Sequence, residues 1–191
     1  MKGNACILFA LLVLIIACNN DKKDSVEKAD SANKAYLDTA ITHNLVVLDE
    51  ESSSFLVKAA NLGMSEMQLA SLAQQKAVSQ PVKDFSSMQV RDYSVLNNQV
   101  KNLAAQMKVV LPDSITDDKQ KQIIELTQKN GLNFDKTFMQ IVIKNYEEII
   151  DLYEKALLNK KDPDINSFAD KTLMTLHMHL NSAKNIRPVI K

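Results

Sequence analysis

Apolar residues fall along this chain in two regimes. From Ala5 to Ile16 they are continuous. From Phe55 onward they recur at spacings of three and four, the period of one helix face. Phe55, Ala59, Leu62, Glu66, Leu69 and Ala73 form one stripe, and Phe85, Met88, Asp92, Leu96, Gln99 and Leu103 a second. Phe138, Val142, Asn145, Ile149, Leu152 and Ala156 form a third, and Ile165, Phe168, Thr172, Leu176, His179, Ala183 and Ile186 a fourth. The pattern predicts four long helices. Ser79-Gln80-Pro81 reads as a break and restart, with serine as cap and proline in the first turn. Leu111-Pro112-Asp113 ends the second helix, a short helix spans Lys119 to Lys129 and stops at Asn130-Gly131, and Asp162-Pro163 caps the fourth. Tyr36 to Leu48 fits either a short helix or, through Val46-Val47, a strand-like lid.

A shift of 83 residues superposes Phe55 on Phe138, Leu56 on Met139, Leu69 on Leu152, Ala73 on Ala156, Val82 on Ile165 and Phe85 on Phe168. Gln80-Pro81 then falls beside Asp162-Pro163. The repeat predicts two related hairpins packed face to face. The expected fold is all-α, a four-helix bundle with short accessory helices.

The continuous run is too short to span a membrane. Its twelve residues make roughly 18 Å of helix against ~30 Å of hydrocarbon. With Lys2 before it and Ala17 after it, the run reads as the core of a signal peptide. Ile15-Ile16-Ala17-Cys18 resembles a bacterial lipobox, in which cleavage precedes a cysteine whose sulfur is acylated. The expected layout is a signal peptide over 1–17, a lipidated Cys18 and flexible tether over 18–33, and a helical domain over 34–191. Lipid (palmitate-type) chains on Cys18 would hold the protein to the bacterial cell envelope. Asn19 after the cysteine favours the outer membrane, on its periplasmic or its surface face. Asp21-Lys22-Lys23-Asp24 reads as solvated linker rather than as an export signal. Cys6 falls in the discarded segment, so the mature domain has neither free thiol nor disulfide.

Composition removes several classes. The 191 residues are 46% hydrophobic and 24% charged, enough for a core. Three glycines and four prolines are too few for a turn-rich sandwich or barrel. Equal numbers of basic and acidic side chains leave no excess to neutralise phosphates, so no nucleic-acid partner is expected. Without tryptophan, a stacking platform for bases or sugars is not expected either. Neither a phosphate-binding loop nor a G-x-S-x-G elbow occurs.

Four polar residues interrupt the apolar stripes: Glu66, Asp92, Asn145 and His179. A buried carboxylate must be paired, neutralised or metal-bound. The di-iron pattern of Glu-x-x-His on two helices is not met, because Leu176 stands three before His179 and Gln89 three before Asp92. Glu66, Asp92, Tyr93, Tyr146, Glu147 and His179 are the candidate cluster. The preferred reading is hydrogen bonding of Glu66 to His179 or a tyrosine; iron, manganese or zinc would be the ion if the cluster took one. No other cofactor and no catalytic residue is expected. His177 faces away from His179, His43 faces solvent, and the methionines (Met64, Met67, Met88, Met107, Met174 and Met178 among them) read as bundle packing.

From Phe55 to Ile186 the chain resembles the bacterial domain of unknown function 4142, a ferritin-like group of envelope proteins. The resemblance rests on Glu66, Ala73, Ser79-Gln80-Pro81-Val82-Lys83-Asp84-Phe85, Met88, Leu111-Pro112, Phe134-Asp135 and Leu173-Met174-Thr175-Leu176-His177-Met178-His179-Leu180. It implies a ferritin-like bundle in which Glu66 and His179 match the family pattern. Tyr93 and Tyr146 stand where many members carry histidine. The expected function is a non-enzymatic structural or interaction role with an envelope protein partner; the alternative is a metal-binding or redox bundle using Glu66 and His179.

Overall fold

A computed structural model describes residues 23–42, 49–159 and 161–190. The expected signal peptide, Cys18, His43 and Val46-Val47 lie outside the described residues. The helices are α1 (Ser25–Thr42), α2 (Glu50–Lys76), α3 (Gln80–Met107), α4 (Asp117–Thr127), α5 (Gly131–Asn159) and α6 (Pro163–Ile186), followed by a 3-10 turn at Arg187–Val189. No strand occurs among the described residues, so the fold is all-α. No helix among them is long and apolar enough to cross a membrane.

Each long helix packs against two others: α2 on α3 and α5, and α6 on α5 and α3. Helix α4 lies against α2 and α5, and α1 against α2. The 83-residue shift carries Lys76, the last residue of α2, onto Asn159, the last of α5, and Gln80, the first of α3, onto Pro163, the first of α6. Burial follows the repeat less closely. Leu69 is fully buried, whereas its counterpart Leu152 is only partly so.

The helix starts show how local chemistry sets the frame. Asp49 accepts from the Ser52 amide at 3.1 Å, and Asp162 accepts from the amides of Asp164 and Ile165 at 2.9 and 3.0 Å. Helix α3 opens differently from expectation. Ser79 makes no side-chain cap bond and its hydroxyl is buried without a partner. The acceptor comes instead from α5: the fully buried Asp135 carboxylate takes the Ser79 amide at 2.7 Å and the Val78 amide at 3.1 Å. Helix α3 also stops one turn before Leu111-Pro112. Lys108 adopts the left-handed region (φ 57°), and the Lys108 and Val109 amides turn back to the Ala105 and Ala104 carbonyls. Gly131, read as the stop of α4, is the first residue of α5. Its φ of +56° is a conformation that glycine takes at no steric cost.

Two expectations are corrected here. The inward row of α3 is Val82, Phe85, Ser86, Gln89, Tyr93, Val100 and Ala104, while Gln99 is exposed and Asp92 sits at the rim. Two rows one residue apart share the same period, and burial of Val82, Tyr93 and Val100 selects between them. The tether expected to run to 33 overlaps α1. Alanines 29, 32, 35 and 40 give this polar stretch high helix propensity, and Ala29 and Ala40 pack inward. Asn33 clasps Val110 by donating to its carbonyl at 2.9 Å and accepting from its amide at 2.7 Å, and the Ser25 hydroxyl donates to the Ser114 carbonyl.

Candidate functional site

A line of hydrogen bonds crosses the core from the α3–α6 side to α4. At one end Asp92, beside Arg91, accepts from His179 Nε2 at 3.0 Å. That bond places the imidazole proton on Nε2 and leaves Nδ1 to accept from the Tyr146 hydroxyl at 2.9 Å. The Gln89 amide nitrogen donates twice, to Tyr146 Oη and to Glu66 Oε2, both at 3.1 Å. Glu66 Oε1 takes the Asn145 amide at 2.6 Å. Asn145 Oδ1 in turn accepts from Lys119 Nζ at 3.3 Å, and that ammonium pairs with Glu148 at 2.7 Å. The line runs toward three carboxylates, Asp92 and Glu148 at the edges and Glu66 at the centre, and the Asn145 amide also donates to Gln122 Oε1 at 3.4 Å.

The electrostatics follow from burial. Glu66 is almost wholly enclosed, and desolvation pushes its carboxyl from the ordinary 4.5 up to about 7, against the pull of Asn145, Lys119 and Gln89. Burial also drives His179 below the ordinary imidazole range; Asp92 opposes that shift and Arg91 adds to it. Burial raises both phenols, Tyr93 and Tyr146, well above their ordinary value, with Glu66 contributing. The neutral imidazole and neutral phenols suit the direction of the bonds.

Of the candidate residues, the structure joins Glu66, Asp92, Tyr146 and His179 in one line. Glu66 touches neither His179 nor a tyrosine directly, because Gln89 stands between. Tyr93 packs its ring 6.2 Å from that of Tyr146, but its hydroxyl has no hydrogen-bond partner among the described residues. Glu147 does not belong to the cluster. One residue on from Tyr146 it faces outward and pairs with Lys184 at 2.9 Å. Gln89 and Lys119 were missed. Both carried a signal: Gln89 is four from Phe85 and from Tyr93, and Lys119 starts the row Lys119, Ile123, Leu126 on α4.

The core does not present a metal-ligand set. Both Glu66 oxygens and both His179 nitrogens are engaged by neighbours, and no group of three or more His, Cys, Asp or Glu side chains converges among the described residues. Outside the core, Met174 and Met178 are exposed rather than packed, contrary to the expectation for the methionines.

The fold and this line of bonds define an all-helical domain whose central polar side chains are bonded to one another. The chain belongs to the family described as a domain of unknown function (DUF4142), whose model matches residues 38–186. No curated protein matches its sequence. Among solved structures it is similar to a DUF305 fragment from Deinococcus radiodurans, with TM-score 0.67, 9% identity, and coverage of 75% of this chain and 99% of that one. It is also similar to CopM in the Cu(II)-bound form, with TM-score 0.63, 17% identity, and coverage of 72% and 95%. At these identities the likeness is one of fold.

Proposed function

We propose that this is a bacterial envelope lipoprotein whose helical domain is a ferritin-like four-helix bundle of two hairpins with a structural or interaction role, and not an enzyme. The observation that carries this reading is the closed polar core. Glu66 and His179, the groups best suited to chemistry, spend their hydrogen-bonding capacity on Asn145, Gln89, Tyr146 and Asp92. The alternative, a metal-binding or redox bundle on Glu66 and His179, draws support from the likeness to CopM, and the engaged ligand atoms stand against it.

Iron, manganese or zinc added to the protein should leave its melting temperature unchanged. An ion held in the core at a hundredfold its dissociation constant would add about 2.7 kcal/mol of stability and overturn the reading. The anchor has its own test. Cys18→Ala should abolish labelling by a palmitate analogue and leave an uncleaved or soluble product. Unchanged labelling and fractionation would sink the lipoprotein assignment.

A further inference from the structure

Methionine is ordinarily an inward residue. On α6, Met174 is 78% exposed and Met178 52% exposed, and neither belongs to the core. His177 stands between them in sequence, with its side chain half-exposed. The three occupy i, i+3 and i+4, so their side chains leave neighbouring points on one outer face. Met64, Met67, Met88 and Met107 differ: all four are partly buried and packed against the core. Glu154 of α5 approaches His177 Nε2 to 3.8 Å, too far for a hydrogen bond but near enough to put a negative charge beside the ring.

We infer that Met174, His177 and Met178 form a surface site for a monovalent copper ion. Two thioethers and one imidazole are soft and borderline donors, a set that favours Cu(I) over the harder Zn(II), Mn(II) or Fe(II). The site is separate from the closed polar core. Its failure would leave the reading of Glu66 and His179 standing, and a core that bound metal would not create it. Positions four apart on a helix bring two flexible thioethers within reach of one ion, and Glu154 supplies negative charge beside it.

The test uses the full chain in detergent, with Cys6→Ala and Cys18→Ala removing thiols that would compete. Cu(I) is offered anaerobically from a chromogenic chelator. The protein should withdraw about one ion per chain. The pair Met174→Leu and Met178→Leu should abolish that uptake, as should His177→Gln, with helical dichroism unchanged because all three positions are exposed. The control pair Met64→Leu and Met67→Leu should keep it. No withdrawal of Cu(I), uptake unchanged in the Met174/Met178 pair, or equal loss in the control pair would each overturn the proposal.

Discussion

Asp135→Ala should destabilise the domain by about 3 kcal/mol, although Asp135 belongs to no site. Its carboxylate accepts the Ser79 amide at 2.7 Å and the Val78 amide at 3.1 and 3.3 Å. Bonds to a charged acceptor contribute about 1.5–3 kcal/mol each, and loss of the acceptor leaves two amides at the mouth of α3 without one. The positive end of the α3 dipole also loses its counter-charge. Relief of the carboxylate's own desolvation offsets part of this, which is why the figure is below the sum. Asp135→Asn keeps one acceptor oxygen and should cost roughly half as much. Denaturant unfolding checks both: the midpoint should fall with an unchanged slope. Hydrogen exchange gives the local readout, since the Val78 and Ser79 amides should lose protection first. A cost under about 1 kcal/mol would show that solvent or Ser79 can replace the carboxylate.

Asp135 also marks where the sequence ceased to be legible. Long helices with strong periods are legible to within a few residues, because each carries its own local evidence. Asp162 and Asp49 cap the helices they precede, and Asp162 with Pro163 behind it is legible as a cap. The cap of α3 comes from 56 residues downstream in the sequence, and no local pattern announces such a partner. The same distinction divides the polar core. Glu66, Asn145 and His179 were visible as interruptions of apolar stripes. The α3 pattern also fits a row one residue out, which turns Asp92 fully inward and hides Gln89, the group that joins Glu66 to Tyr146. Lys119 was hidden because a buried ammonium reads as surface until its partners, Asn145 and Glu148, are placed around it. Helix α1 failed for another reason. Its stability comes from alanine propensity and two polar clasps to the α3–α4 loop rather than from an apolar stripe.

Glu66→Gln should change the pH dependence of stability more than stability itself. In the folded protein burial raises the Glu66 carboxyl from 4.5 to about 7, so the native state holds this proton more tightly than the unfolded chain. Stability from this group is therefore greatest below about pH 4.5, declines as pH rises toward 7 and is flat above. A shift of that size corresponds to about 3 kcal/mol. His179 works in the opposite sense. Its folded value lies below 6.5, so its contribution is lost as pH falls through the ordinary imidazole range. The two trends overlap in the parent protein, and the difference between variant and parent isolates Glu66. The substitution keeps the volume of the side chain, and the unpartnered Oε1 of Gln89 offers an acceptor for the new amide once the Gln89 amide turns over. Near pH 4.5 the variant should match the parent or fall slightly below it. By pH 8, where the parent carries a buried charge and the variant does not, the variant should have gained about 3 kcal/mol relative to its position at acid pH. Urea unfolding at intervals between pH 4.5 and 8 measures this directly. A difference that stays constant across that range would mean that Lys119, Asn145 and Gln89 stabilise the Glu66 anion well enough to keep it ionised throughout.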